Sequence, residues 1–113
     1  MKQVTAITPT ELQTMAEKMY GNLVKAVVDI EKGILVVDAE MHVDIEQYLL
    51  ENNSSQQSLW GINLHPDKFG SDDFVEFDSM INIRPRQNNM SRGVEDAALR
   101  DTINQIVQRV VAS

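Results

Sequence analysis

The chain has 113 residues, 42% of them apolar, which suits one domain spanning 1–113 with a core of its own and excludes wholesale disorder. It has no cysteine, which excludes disulfides, thiol chemistry and cysteine-ligated zinc. A net charge of −7 opposes binding to nucleic acid or anionic membranes, no apolar run is long enough to cross a bilayer, and the start of the chain lacks a signal peptide's apolar stretch, so a cytoplasmic protein is expected.

In chain order, Val4 to Ile7 reads as a short strand. Thr8-Pro9-Thr10-Glu11 then predicts a helix start, with Thr8 as cap, Pro9 in the first turn, Glu11 closing a capping box and Ile7 stapled to Leu12. That helix turns Leu12, Met15, Ala16 and Met19 inward and stops at Gly21. Leu23 to Glu31 and Ile34 to Glu40 form a predicted hairpin around Lys32-Gly33, with Ile30 opposite Leu35, Val28 opposite Val37 and Ala26 opposite Ala39. A second helix is expected over Val43 to Asn52, with Ile45, Tyr48 and Leu49 inward.

The second hairpin runs from Leu59 to His65 and from Phe74 to Arg84, pairing His65 with Phe74, Asn63 with Glu76 and Gly61 with Asp78. The last helix, about Val94 to Val111, carries Leu99, Ile103, Ile106 and Val110 on one stripe. The order β-α-β-β-α-β-β-α predicts an α+β fold. Its antiparallel-rich sheet has two hairpins and a short N-terminal strand, with three helices packed on one face. The other face carries Val27, Ile34, Val36, Phe74 and Met80 among charges, which makes a homodimer or another protein partner an expectation.

Three clusters carry chemistry. The second hairpin places Asn63, Glu76, Asp78, Asn82 and Arg84 on one face, and the loop that follows adds Arg86 and Arg92 just before a helix start. Arginine forks and free helix N–H groups suit a carboxylate or phosphate, so Asn63, Asn82, Arg84, Arg86 and Arg92 are the candidate ligand-binding residues. The competing reading pairs those arginines with the protein's own acids. The loop lacks P-loop glycine spacing, and no cofactor is implied.

Glu76 and Asp78, two apart on a strand and so about 7 Å from each other, are the candidate acid–base pair if one pKa is raised. Glu40, His42 and Asp44 alternate, and in extended form would face one side as a weak candidate metal set; the alternative is a polar helix entry, and no metal is expected. Neither Ser79 nor Ser91 sits in a nucleophile elbow, and Trp60 alternates with Ile62 and Leu64 as a core anchor.

The segments Ala39 to Asp44, Trp60 to Leu64, Pro66-Asp67-Lys68, Glu76 to Pro85 and Ser91 to Asp96 resemble a small bacterial family known only as a domain of unknown function. The resemblance covers nearly the whole chain. It implies a stand-alone bacterial, cytoplasmic domain with polar motif positions at Asn63, Glu76, Asp78, Asn82, Arg84, Arg92 and Glu95, and it implies no activity. Two functions are therefore carried forward. One is a non-enzymatic binding or interaction domain with an anionic-ligand or partner site near the Arg84–Arg92 loop. The other is a small enzyme, such as a hydrolase, using Glu76 or Asp78, with a metal-dependent variant on Glu40, His42 and Asp44. Whether the chain is an enzyme is left open by the residues.

Overall fold

The computed structural model describes residues 1–113. The Thr8 hydroxyl accepts from the Glu11 N–H at 3.1 Å, while the Glu11 carboxylate accepts from the Thr8 N–H at 3.3 Å. This capping box starts α1, Pro9–Lys18, and Gly21 ends the segment at φ +88°, its N–H bonded to the Ala16 carbonyl. Leu12 and Ala16 are buried as expected, but Met19 falls at the C-cap, beyond the last regular turn, and is exposed.

Five strands build one antiparallel sheet in the order β1-β3-β2-β4-β5: β1 is Lys2–Val4, β2 Val24–Asp29, β3 Ile34–Val37, β4 Leu59–Leu64 and β5 Val75–Glu76. The fold is α+β with three helices, α1 together with α2, His42–Glu51, and α3, Ala97–Val110, the last capped by Asp96, which accepts from the Ala98 N–H.

The β2–β3 hairpin is shifted by two residues from the tight-turn expectation. Val28 pairs with Leu35 and Ala26 with Val37, leaving Ile30 to Gly33 as the loop. Asp29 is the reason. Its carboxylate accepts from the Glu31 and Lys32 N–H groups, both at 2.9 Å, and its carbonyl accepts from Gly33, which sits at φ +68°. A two-residue shift preserves which face each side chain takes.

In the second hairpin the expected register holds for Asn63 with Glu76 and Leu64 with Val75, and the His65 N–H donates to the Phe74 carbonyl. The strand then stops at Glu76 rather than running to Arg84. Short 3-10 turns at Met80–Asn82 and Pro85–Gln87 replace it.

Helices cover both faces of the sheet, not one. On the first, α1 and α3 pack Leu12, Ala16, Ile103, Ile106 and Val110 against Ala26, Val28, Leu35, Ile62 and Leu64. On the second, Ile45 and Leu49 of α2, helped by Ile81, cover Val27, Val36 and Leu59. The apolar side chains that suggested a dimer on this face are thus covered by the chain itself, while Phe74 joins the first core and Met80 is exposed on its 3-10 turn. Tyr48 points outward; His42 and Glu46 take the inward positions beside Ile45 and Leu49.

Candidate functional site

Because β5 is two residues long, the Leu59–Ile62 stretch of the β4 edge has no strand beside it. Side chains close it instead. Asn82, fully buried, accepts from the Gly61 N–H through Oδ1 at 2.8 Å and donates through Nδ2 to the Gly61 and Arg92 carbonyls, each at 2.9 Å. One amide thereby reproduces both bonds of a missing strand residue. The Arg84 guanidinium donates to the Leu59 and Gln56 carbonyls and lies 4.1 Å from the centroid of the buried Trp60 ring. Burial lowers the Arg84 pKa from its ordinary value, with nearby Glu46 opposing the shift.

Asn89, also buried, donates through Nδ2 to the Asn82 and Gly93 carbonyls at 2.8 and 2.7 Å and accepts from the Glu95 N–H. Glu95 in turn accepts from the Met90 and Ser91 N–H groups, and the Met90 bond above all holds its carboxyl below the usual range. The loop that looked like a donor-rich ligand site is therefore cross-braced by its own donors at Asn82, Arg84 and Asn89. Arg86 is exposed on the 3-10 turn.

A second group converges on the α2 side of the sheet, next to this loop. The register lines up Lys25, Asn63 and Glu76 across β2, β4 and β5. Asn63 donates to the Glu76 carboxylate at 3.0 Å and more weakly to the Asp78 carbonyl at 3.4 Å. Both contacts use Nδ2 and lie on its β5 side, and its Oδ1 takes no part in them. Asn63 is only 6% exposed and that oxygen has no hydrogen-bond partner in the protein. Glu76 also meets His65 Nε2 at 3.1 Å, and the Asn63 and His65 bonds hold its carboxyl below the usual range. Asp78 pairs with Arg92 Nε at 2.5 Å; the Arg92 side chain is 54% exposed and its two terminal nitrogens have no protein partner.

His42 opens α2 at the same corner. Its Nε2 lies 2.8 Å from the Ile62 carbonyl, which requires the Nε2–H tautomer in the neutral ring, and Lys25, Asp78 and Arg92 act on it electrostatically. No side chain caps α2, so the His42 and Val43 N–H groups stay unpaired. Lys25 itself lies over the Tyr20 ring at 4.9 Å, and the Tyr20 hydroxyl donates to the Glu40 carbonyl.

The extended arrangement expected for Glu40, His42 and Asp44 does not form, because the helix starts at His42 and turns its ring inward while Glu40 and Asp44 remain exposed. No group of three His, Asp or Glu side chains is placed to hold a metal. Ser79 is buried, bonded through its N–H to the Arg92 carbonyl, and packed against Gly61.

Burial lowers the His42 pKa, since desolvation disfavours the imidazolium more than the Ile62 carbonyl favours it. The unfolded state therefore takes up the proton first. Stability is complete above about pH 6.5, the unfolded value, and falls as pH drops from there towards the folded value. Thermal midpoints at pH 7.5 and 5.5 should thus differ less for His42→Gln than for the native chain, and equal differences would contradict this assignment.

Sequence patterns alone missed Lys25 and the start of α2. Their link to Asn63 depends on β2 lying beside β4, which local patterns do not encode; the one available signal was a lone cation in the apolar run Val24 to Val28. No helix is long and apolar enough to cross a membrane. Neither a curated protein nor a solved structure matches the chain. One family, described as "Protein of unknown function (DUF5674)", matches residues 3–110, and the chain belongs to that family.

Proposed function

We propose that the protein is a non-enzymatic binding domain that takes a small anionic ligand where Arg92, Lys25 and the start of α2 converge, beside the Arg84–Arg92 loop. The observation that carries this reading is Asn63, a side chain 94% buried by its 6% exposure, with an acceptor oxygen lacking any protein partner. A buried acceptor left unpaired costs on the order of 1–3 kcal/mol. Glu46 Oε2, Trp60 Nε1 and Arg84 Nε are also buried without a partner, and it is the positive charge around Asn63 that selects this corner for a ligand. Around it, the free terminal nitrogens of Arg92, the Lys25 ammonium and the unpaired N–H groups of α2 supply positive potential for an anion. The ligand class that fits is a carboxylate or phosphate ester with a hydroxyl or amine nearby. In this reading Arg92 and Asn63 bind, whereas Asn82 and Arg84 shape the wall behind them.

Acid–base catalysis is less well supported. It needs one carboxyl with a raised pKa, whereas Glu76 is lowered and Asp78 is paired with Arg92. The bacterial, cytoplasmic setting implied by the resemblance is kept as part of the proposal.

A thermal-shift panel of inorganic phosphate, nucleotides, phosphorylated sugars and hydroxy- and amino-carboxylates tests the reading on the native chain and Arg92→Ala. A ligand at a hundred times its dissociation constant stabilises by about 2.7 kcal/mol, on the order of 10 °C for a chain this size. The expected result is a shift that Arg92→Ala removes while its own midpoint stays near native, because the lost ion pair is exposed. A shift unchanged in the variant, or none across the panel, would overturn the proposal.

A further inference from the structure

A groove lies away from this corner, on the α3 side of β5. It encloses about 630 Å³ between the loop before β5 and the C-terminal half of α3, with Phe69, Phe74, Val75, Val107 and Val111 on its walls. Phe69 and Phe74 meet edge to face at 5.2 Å, and Phe69 is 41% exposed.

The groove runs beside an open sheet edge. β5 is the terminal strand, and the His65–Phe74 hydrogen bond fixes its ladder phase. Bonded and non-bonded pairs alternate in an antiparallel ladder, so Leu64 and Val75 form a non-bonded pair and the Val75 N–H and C=O point away from β4. Val75 packs against the α1–α3 core, whereas Glu76 faces the other side. A strand added at this edge would send one residue into the groove beside Val75 and its neighbours towards Glu76.

Charge specifies those neighbours. Asp72 lines the groove and no lysine or arginine does. The Glu76 carboxyl, 47% exposed, is kept ionised at Oε1 by Asn63 and His65, which leaves its second oxygen free. The chain carries a net charge of −7, which disfavours a second copy as occupant.

We propose that β5 and its groove bind an extended segment of a partner protein by strand addition, the segment alternating apolar residues with lysine or arginine. Apolar side chains fill the groove between Phe74 and α3, the Val75 backbone pairs with the segment, and the basic side chains between them meet Glu76 on the other face of the sheet.

The test uses the full chain, a phage-displayed library of short linear peptides, and a synthetic copy of the best binder. Enriched peptides should alternate apolar and basic residues. Affinity should fall about tenfold or more on the double variant Asp72→Lys with Gln108→Lys, two exposed groove positions, since two ammonium groups then line the groove that takes the segment's apolar side chains and add positive charge opposite a basic segment. N-methylation of the peptide's alternate amides should abolish binding. The proposal is overturned by any of four results: no enrichment, enrichment of peptides without the basic alternation, equal binding to the double variant, or equal binding of the methylated peptide. Concentration-dependent self-association that the double variant abolishes would assign the groove to a second copy and also overturn it.

Discussion

Asn82→Ala should lower the thermal midpoint by about 15 °C. The variant strands the Gly61 N–H and the Gly61 carbonyl, both within 2.9 Å of the Asn82 amide, and takes one of two donors from the Arg92 carbonyl, which keeps the Ser79 N–H. Leaving buried groups of this kind unpaired costs about 1–3 kcal/mol each before relaxation, so a total of roughly 3–5 kcal/mol is expected. That is a large share of the 5–15 kcal/mol, roughly, that holds such a domain together. Asn82→Asp separates a structural role from a ligand role. It keeps the acceptor for Gly61 but turns a second oxygen towards two carbonyls, so it should destabilise at least as much as alanine. Were Asn82 a ligand-binding residue alone, both variants would melt near the native temperature. Denaturant melts of the three proteins decide the matter.

Gly61→Ala is expected to cost about 3 kcal/mol, although it adds a single methyl group. A Cβ at Gly61 would lie 2.6 Å from both Cβ and Oγ of Ser79 and 3.1 Å from Ile81 Cγ1. Ser79 cannot step aside easily, because it is buried and its N–H is bonded to the Arg92 carbonyl at 2.9 Å. The segment from Ser79 to Asn82 must move as a unit, which pulls the Asn82 amide off Gly61. Ser79→Gly removes both clashing atoms, so adding it to Gly61→Ala should recover part of the loss. A double-mutant cycle with coupling near zero would place the damage elsewhere.

Together these effects explain the run Asn82 to Asn89. It supplies amides and a guanidinium at the stretch of β4 that β5 leaves uncovered. An open edge of that kind would otherwise offer unpaired backbone groups to other chains.

Local chemistry that acts within a few residues was legible in the sequence. The Thr8–Glu11 capping box and the Asn63–Glu76 register both appear where turn and cap residues predict them. The β2–β3 register went astray because Gly33 alone suggests a tight turn, whereas Asp29 holds the N–H groups two, three and four residues ahead of it and so lengthens the loop. Phe77 to Arg84 reads as a strand because its apolar residues alternate, yet β5 ends at Glu76 and the Asn82 side chain makes the bonds to Gly61 that a continued strand would have made. Ile45 and Leu49 were legible as the inward stripe of α2, but which face of the sheet they cover is set by long-range packing, and the burial of His42 and Glu46 beside them is not advertised by polar residue types.

For the site, Asn63, Glu76, Asp78 and Arg92 do lie together, whereas Asn82 and Arg84 bond into the wall behind them. Polarity alone could not divide them, since a donor facing a ligand and a donor facing a carbonyl look alike in sequence. Lys25 joins only through the strand order.

The most direct test of this division is a titration of the isotopically labelled chain with the panel anions, followed through its asparagine side-chain amides and α2 backbone N–H groups. The account predicts that the Asn63 amide and the Val43 N–H shift together and saturably, that the Asn82 and Asn89 amides stay fixed, and that Arg92→Ala abolishes the movement. Saturable shifts at Asn82 and Asn89 with Asn63 unmoved, or no saturable shift at all, would contradict it.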